Sequence, residues 1–220
     1  MGIAYNPKVI TDGLVLALDA GNPKSYPGSG ATWTDLSGLG NNGTLVNGVG
    51  YNSANGGSLS FDGVDDYVST SYLMGTVSQQ TISCWISKTN SQYSFILASS
   101  ASKYYGLEIY PTAIYVNIES GYGQANYNVN GYQNIVFTYD GFQTGNSNRL
   151  KLYLNGVLQT LGFIGTIPSS VSTLPTLDIG KRSWVTRYSE GNIAQVSIYN
   201  KALTPQEIQQ NYNALKGRFQ

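Results

Sequence analysis

The sequence contains no histidine, and this absence excludes more chemistry than any other feature of its composition. Without histidine there is no Ser-His or Cys-His nucleophile pair, no imidazole ligand for zinc, and no side chain that ordinarily exchanges protons near neutral pH. Cys84 is the only cysteine, so an intramolecular disulfide is excluded as well. Because Cys84 shares one strand face with Ile82 and Ile86, we predict that it is a small buried apolar residue rather than a nucleophile.

Charge and long apolar runs are also scarce. Charged residues make up 11% of the chain, and 12 basic side chains balance 12 acidic ones. Nucleic acids and anionic membranes select surfaces with a basic excess, so we expect neither as a partner. No apolar run approaches the roughly 18 residues that a membrane-spanning helix needs, and residues 1–10 lack the regions of a signal peptide. We therefore expect no membrane insertion and no secretion signal.

The sequence does contain a series of short alternating segments separated by turn residues. In each segment apolar residues occupy every second position, as in a strand with one buried face. The segments follow one another at roughly 8 to 15 residues without helical patterns between them, which indicates antiparallel sheets. The clearest segments are 14–18, 58–61, 82–86, 114–118, 135–139, 150–154 and 192–199.

Two local signals mark a turn and a helix. Asn155-Gly156 separates two apolar runs and predicts a type I′ hairpin, because both central residues of that turn have positive φ. Thr204 and Glu207 form a capping box around Pro205, and the four- and three-residue apolar steps that follow predict one amphipathic helix. The pattern therefore predicts an all-β fold of antiparallel sheets with one short C-terminal helix.

Six stretches of the chain carry a family resemblance in their order along the sequence: residues 13–19, 35–45, 59–68, 81–86, 152–156 and 191–204. Together they resemble the laminin-G-like branch of the concanavalin A-like lectin/glucanase superfamily. The resemblance covers about residues 13 to 217 and implies an antiparallel jelly-roll β-sandwich, a laminin-G-like domain over 13–220. Residues 1–12 are predicted to be a flexible or docking arm, because their apolar residues lack sustained alternation. The opening segment is similar to versions in structural proteins of tailed bacteriophages, including phages of marine cyanobacteria. That similarity implies a virion protein, on the capsid or tail surface, made in the host cytoplasm.

Catalysis is the first kind of site to consider. Glucanases of this superfamily resemble one another in a Glu-x-Asp-x-x-Glu strand that supplies the nucleophile and the general acid. None of the four glutamates here has that neighbourhood. Glu108 and Glu119 could face each other on adjacent strands, but we favour a solvated sheet face over a catalytic pair. We predict no catalytic residues and no enzyme activity.

A structural calcium ion is the second candidate. The family resemblance implies it, because several members hold calcium with carboxylates and loop carbonyls at a sandwich edge. Asp62, Asp65 and Asp66 form the densest acidic cluster in the chain. The alternative is that Asp62-Gly63 is only a turn, because Asp side chains bond to their own backbone there. The prediction is thus one calcium site at these three residues, and no other cofactor.

A ligand-binding face is the third candidate. Sugar C–H groups pack on aromatic rings and sugar hydroxyls bond to amide side chains. If Ile114 and Val116 point inward, Tyr115 and Asn117 point outward on the same strand. Strand alternation and the predicted loops together give the candidate residues for binding a glycan or a protein partner: Trp85, Tyr115, Asn117, Tyr153, Trp184 and Tyr188. Tyr122 and Tyr127 also lie in predicted loops. Lys181, Arg182 and Arg187 form a small basic cluster. The alternative is that neighbouring subunits cover these rings.

Three functions stay open at this point. The first is a non-enzymatic virion structural protein, such as a capsid decoration or a fibre-associated protein, that makes subunit contacts and adheres to host glycans. Its partners would be other virion proteins and cell-surface glycans, and it would act as a homo-oligomer or in many copies. The second is a free carbohydrate-binding lectin, and the third is a glycan-cleaving enzyme.

Overall fold

A computed structural model describes residues 7–88, 93–100, 103–127, 131–182 and 187–219 of the chain. Within these residues the fold is a sandwich of two antiparallel sheets, which confirms the predicted class. The strands are β1 (Leu14–Asp19), β2 (Thr32–Trp33), β3 (Gly43–Val46), β4 (Gly50–Asn52), β5 (Ser58–Asp62), β6 (Tyr67–Val77), β7 (Gln79–Lys88), β8 (Ser94–Ser100), β9 (Lys103–Ile109), β10 (Ala113–Ile118), β11 (Gly121–Asn126), β12 (Gly131–Asp140), β13 (Leu150–Leu154), β14 (Val157–Gln159), β15 (Gly162–Ile164), β16 (Val171–Ile179), β17 (Lys181–Arg182), β18 (Arg187–Tyr188) and β19 (Glu190–Tyr199).

Helical structure in the described part of the chain is limited to short pieces. The α-helices are α1 (Asn146–Arg149) and α2 (Pro205–Leu215), and single 3₁₀ turns lie at Ala54–Gly56 and Lys216–Arg218. The sequence predicted α2 but not α1, which is a single turn too short to show periodicity. None of these helices has the length and apolar character that crossing a membrane requires.

The two large sheets stack face to face. Sheet A has the order β14-β13-β12-β7-β19-β5-β4, and β1 pairs with β19 next to β5. Sheet B has the order β15-β11-β10-β9-β8-β16-β6-β3-β2, and β17 and β18 form a separate hairpin. Strands distant in sequence therefore lie side by side, as the predicted jelly-roll requires.

The core lies between the sheets and is built from the alternating apolar residues. Ile82, Ile86 and Phe137 contribute from sheet A, and Leu107 and Val116 contribute from sheet B. Cys84 is fully buried among them, as predicted, and burial raises the pKa of its thiol. The inward face of every central strand is thereby used for packing, and only outward-facing side chains remain for a site.

Helix α2 covers the outer face of sheet A. Thr204 caps the helix: its Oγ1 accepts from the Glu207 N–H at 3.3 Å, and its own N–H donates to Glu207 Oε2 at 2.8 Å. The predicted capping box is therefore confirmed. A second apolar cluster joins the helix to the sheet and consists of Val136, Tyr153, Tyr199, Leu203 and Ile208.

The described part of the predicted N-terminal arm docks on this same side of the molecule. The Ile10 N–H donates to Asn211 Oδ1 in α2 at 2.8 Å, and the Ile10 carbonyl accepts from the Tyr199 hydroxyl at 3.0 Å. Gln210 Nε2 donates to the Lys8 carbonyl at 2.7 Å. Residues 8–12 thus add to the cover over sheet A.

The hairpin between β13 and β14 has the predicted turn. Asn155 and Gly156 have φ values of +50° and +79°, as a type I′ turn requires. Only two residues then separate β14 from β15, although β14 is the edge of sheet A and β15 the edge of sheet B. The chain therefore steps from one sheet to the other along a single side of the sandwich.

Candidate functional site

The outer face of sheet B carries a row of tyrosines. Strand pairing places Glu108 opposite Tyr115, and Asn117 opposite Tyr122, on β9, β10 and β11. Since the residues that alternate with them, such as Val116, are in the core, these side chains point away from it. The outward orientation predicted for Tyr115 and Asn117 agrees with this placement.

The rings form a continuous ladder across the strands. Ring centroids are 5.6 Å apart for Tyr122 and Tyr115, 5.1 Å for Tyr115 and Tyr110, and 5.2 Å for Tyr110 and Tyr93. All three contacts are edge-to-face, and each of the four rings is half-buried. We call this surface, together with Asn117, Glu108, Arg182 and Arg187, the tyrosine face. Each ring packs against its neighbours in the ladder, and part of each ring remains exposed to solvent.

Glu108 lies at the centre of the tyrosine face and is only 3% exposed. Arg182 Nε lies 3.0 Å from Glu108 Oε1, and the Tyr110 hydroxyl donates to Glu108 Oε2 at 3.1 Å. Burial raises the pKa of the Glu108 carboxyl, and Arg182, Tyr110 and Arg187 act in the opposite direction. The carboxylate therefore fixes the positions of a tyrosine and an arginine beneath the open rings.

Two guanidinium groups border the rings. Arg187 is exposed and lies 5.2 Å from the centroid of the Tyr93 ring, and Arg182 lies 5.3 Å from that of Tyr104. Cations over aromatic faces are attracted by the ring quadrupole. Both arginines are in the β17–β18 hairpin, where they are register partners. The hairpin thus brings positive charge to one end of the tyrosine face, which agrees with the basic cluster noted in the sequence.

Trp85 and Tyr153 are on the opposite sheet and are not accessible. Trp85 stacks between α2 and the C-terminal segment, with centroids 5.7 Å from Tyr212 and 4.3 Å from Phe219. Tyr153 belongs to the apolar cluster under α2. The two side chains do point outward from sheet A, as alternation predicted, but the helix covers them and leaves each only 2–3% exposed.

The remaining predicted residues have separate locations. Tyr188 is half-buried in the β17–β18 hairpin, with its ring 6.5 Å from that of Tyr67, beside rather than within the tyrosine face. Trp184 lies outside the described residues. Tyr122 is on β11 rather than in a loop, and Tyr127 is 3% exposed in the core. The prediction of an exposed loop tyrosine at 127 is wrong, because Tyr127 continues the inward-facing alternation of Gly123 and Ala125.

Glu108 and Glu119 do not form a pair. Glu108 is opposite Tyr115 in the β9–β10 register, whereas Glu119 lies in the turn after β10 with φ of +49°. Oε1 of Glu119 accepts from the Ser172 hydroxyl at 2.7 Å. The expectation of a solvated sheet face is also wrong for Glu108, because Arg182 and the surrounding rings enclose it.

The three aspartates of the acidic cluster do come together, in the turn between β5 and β6. One carboxylate oxygen from each of Asp62, Asp65 and Asp66 lies within 4.8 Å of the others. Asp62 Oδ1 accepts from the Val64 N–H at 2.8 Å, so the predicted local turn bond is present. Burial, first of all, raises the pKa of Asp66, and the neighbouring carboxylates act in the same direction.

Sequence reasoning missed Tyr93 and Tyr110 as members of the tyrosine face, and it missed Tyr104, which lies against Arg182 beside that face. Tyr93 and Tyr110 flank strands β8 and β9 rather than alternating within them, so the period-2 rule did not reach them. Tyr104 is within β9, at the same parity as Glu108, and that shared parity was a usable signal. No local sequence pattern predicts the contact of β9 with the β17–β18 hairpin, which is distant in the chain.

Comparisons with known proteins agree with this architecture. A family model for the concanavalin A-like lectin/glucanases superfamily matches residues 62–209. No curated protein matches the chain in sequence. Among solved structures, domain 4 of AbnA, a GH43 extracellular arabinanase from Geobacillus stearothermophilus, in complex with arabinotriose, is similar with a TM-score of 0.66 and 14% identity. That similarity covers 90% of this chain and 98% of the arabinanase domain.

Two botulinum neurotoxin structures are similar to the same extent. The serotype D binding domain has a TM-score of 0.66 and 17% identity, covering 92% of this chain and 51% of that one. A type C neurotoxin structure, whose description states that cell entry depends on interaction with two ganglioside molecules, has a TM-score of 0.65 and 17% identity, covering 94% and 52%. The chain thus spans about half the length of these neurotoxin chains. At such identities the likeness establishes a lectin-like fold.

Proposed function

Because the chain belongs to the concanavalin A-like lectin/glucanase superfamily, we propose that it is a carbohydrate-binding module and that the tyrosine face receives the sugar. The observation that carries the proposal is the ladder of half-buried rings from Tyr122 to Tyr93. Binding sites for small molecules combine aromatic walls with a few oriented polar groups. The tyrosine face offers both on a rigid sheet.

The polar groups of the tyrosine face suit sugar hydroxyls. Nδ2 of Asn117 is buried without a hydrogen-bond partner among the described residues, so the donors and acceptors in reach of a ligand are the tyrosine hydroxyls. Arg187 is exposed at the end of the ladder and would pair with an acidic sugar or with ring hydroxyls. Aromatic rings pack on the C–H groups of a sugar while these donors orient it.

The structural neighbours favour the same class of ligand. The arabinanase domain is described in complex with arabinotriose, and a neurotoxin ligand-binding domain in complex with N-acetylneuraminic acid. We therefore choose a neutral pentose oligosaccharide and an acidic sugar as the first two probes. The arginines at one end of the tyrosine face favour the acidic sugar.

The test is isothermal titration with arabinotriose and with N-acetylneuraminic acid, followed by a glycan array. We expect binding of at least one glycan, and Tyr115→Ala with Tyr122→Ala weakens it at least tenfold, or by about 1.4 kcal/mol. The matched control is Tyr51→Ala, since Tyr51 is 38% exposed on β4 at the far edge of sheet A. Absence of binding across the array, or equal loss in the control, would overturn the proposal.

We propose further that the module does not cleave its ligand. Glu108 is held by Arg182 and Tyr110, and Glu119 by Ser172, so neither carboxylate is paired with a second one for glycoside hydrolysis. Incubation with each bound polysaccharide should release no reducing ends. Release that disappears in Glu108→Gln would assign catalysis to this face instead.

A second proposal is that the chain acts in many copies, as in the surface of a virion or a fibre. The supporting observation is the side of the sandwich formed by β14 and β15, where Val157, Leu158 and Ile164 are 62%, 55% and 56% exposed. Exposed strand edges with apolar side chains favour association. The molar mass measured by light scattering should be that of an oligomer, and Leu158→Glu should reduce it to that of a monomer. Purified particles of the source should contain the chain. A monomer at every concentration would contradict this proposal.

A further inference from the structure

A pocket of about 310 Å³ lies at the corner of the sandwich where the chain passes from β6 in sheet B to β7 in sheet A, with only Ser78 between the two strands. We call it the corner pocket, and its lining includes Tyr72, Thr76, Gln79, Gln80, Phe142 and Asn200. These residues and those of the tyrosine face are entirely different sets. The volume is at the small end of ligand pockets in proteins, so the corner pocket suits a ligand of one or two rings.

Phe142 gives the corner pocket an apolar ring that is 73% exposed. Its backbone is fixed from two directions. Asp140 Oδ1 accepts from the Phe142 N–H at 3.2 Å and from Gln79 Nε2 at 3.0 Å, and the Gly141 N–H donates to the Ser78 carbonyl at 2.8 Å. Leaving a ring of this size in water forgoes the free energy that its burial would supply. The fold thus holds an apolar surface at the pocket instead of packing it in the core.

Glycine is required at position 141 for this arrangement. A Cβ atom on Gly141 would lie 1.9 Å from the Ser169 carbonyl oxygen, so the loop packs directly against a neighbouring segment of backbone. A loop held in this way has little conformational freedom left. A ligand that binds to a pre-organised ring loses less entropy than one that must first order it.

A buried amide sets the polar character of the corner pocket. Gln80 is 1% exposed, and its Nε2 donates to the Tyr72 hydroxyl at 3.2 Å. The hydroxyl therefore accepts from the protein and keeps its own proton for another acceptor. Burial raises the pKa of Tyr72, so the hydroxyl stays protonated at neutral pH. Tyr72 is thus an oriented hydrogen-bond donor on the pocket wall.

The other polar groups of the lining are uncharged. They are the hydroxyls of Thr76 and Ser78 and the amides of Gln79 and Asn200, and the described lining contains no carboxylate, ammonium or guanidinium group. Hydroxyls and amides both donate and accept, as the hydroxyls of a sugar require, and an aromatic ring packs on sugar C–H groups. A charged ligand would lose hydration here without gaining a counter-charge. The chemistry of the lining therefore favours a neutral sugar.

We propose that the corner pocket is a second carbohydrate site, which takes a neutral mono- or disaccharide with Phe142 against its C–H groups and Tyr72 donating to one of its oxygens. The inference takes its class of ligand from the proposed function, but it does not depend on the tyrosine face. The arginines give the tyrosine face a preference for acidic sugars, whereas the corner pocket selects uncharged ones. One chain with both sites would hold a polysaccharide at two points and gain avidity.

The test is two-dimensional ¹H–¹⁵N NMR of the labelled protein with the methyl glycosides of glucose, galactose, mannose and arabinose. Each is added to about 10 mM, which detects a dissociation constant of about 1 mM. We expect at least one of them to shift the backbone signals of Gln79 and Phe142 and the side-chain amide signal of Asn200. N-acetylneuraminic acid should leave these signals in place. Their failure to move with any of the neutral sugars would refute the second site, and equal shifts with the acidic sugar would refute its selectivity.

The variants separate the two sites. Phe142→Ala should weaken binding of the neutral sugar at the corner pocket at least tenfold, and Tyr115→Ala with Tyr122→Ala should leave it unchanged. Val64→Ala is the matched control, because Val64 is an apolar residue that is 71% exposed in the turn before β6, and it should have no effect.

Two further outcomes distinguish this proposal from the proposed function. If the tyrosine variant abolishes all binding and Phe142→Ala changes nothing, the corner pocket is not a site and the proposed function stands. If the neutral sugar binds undiminished in the tyrosine variant, and no glycan of the array is lost there, the corner pocket stands and the role of the tyrosine face is refuted.

Discussion

The outer faces of both sheets carry aromatic side chains placed there by strand alternation, but these side chains are buried on sheet A and half-exposed on sheet B. On sheet A, Trp85 and Tyr153 point outward and are buried by α2 and the segment after it. On sheet B, Tyr115 and Tyr122 point outward and remain half-exposed in the tyrosine face. Alternation therefore decides which side of a strand a ring occupies, and an element elsewhere in the chain decides whether a ligand can reach it.

The strongest way to break this comparison is to truncate one ring on each face. Trp85→Ala should cost about 3–5 kcal/mol, because it leaves a cavity beneath Tyr212 and Phe219. Tyr115→Ala should cost about 1 kcal/mol or less, since its ring is already partly in solvent. Urea unfolding monitored by circular dichroism measures both. Equal costs would mean that the two faces are packed alike.

The ion pair beneath the tyrosine face gives the next largest effect. Arg182→Leu leaves the Glu108 carboxylate buried with its charge uncompensated, so we expect a loss of about 1–3 kcal/mol. The double variant with Glu108→Leu should cost less than the sum of the single ones, because the unpaired charge is gone. Arg187→Leu is the control at an exposed position and should stay within about 0.5 kcal/mol of the wild type. Additive costs would show that the pair is not coupled.

Helix α2 can be destabilised by a substitution that changes no residue of either sheet. Thr204→Ala removes the side-chain oxygen that accepts from the Glu207 N–H, which should cost about 1 kcal/mol. Hydrogen exchange should then quicken in α2 and in the amides beneath it while the tyrosine face keeps its protection. Thr160→Ala, in the exposed link between β14 and β15, is the matched control and should change neither. Faster exchange in sheet B would contradict the independence of the two faces.

The smallest expected effect is a pH dependence that belongs to the tyrosine face alone. Burial raises the pKa of Glu108, so the folded state binds more protons than the unfolded chain between the two pKa values. Stability from this group is then present at low pH and falls as the pH rises through that interval. Unfolding curves from about pH 4 to pH 8 should show that the free energy of unfolding of the wild type falls relative to that of Glu108→Gln as the pH increases. Parallel profiles of the two proteins would refute the raised pKa.

The parts of the fold that sequence predicted are those whose cause is local. The Asn155-Gly156 turn and the Thr204 capping box each depend on neighbouring residues, and both are present. The buried state of Trp85 depends on Phe219, which no local pattern connects to it. The same holds for the site. Tyr115 and Asn117 follow from the parity of one strand, whereas the contact of Glu108 with Arg182 requires the distant β17–β18 hairpin to fold back.

The docking of residues 8–12 and of α2 on one side of sheet A has a practical consequence. Both ends of the described domain emerge on the side opposite the tyrosine face. A tether or affinity tag at either terminus would thus anchor the protein with its ring ladder turned toward the surrounding solution. Surface-immobilised samples should then present the ladder unobstructed whichever terminus is attached, which makes them suitable for the glycan measurements.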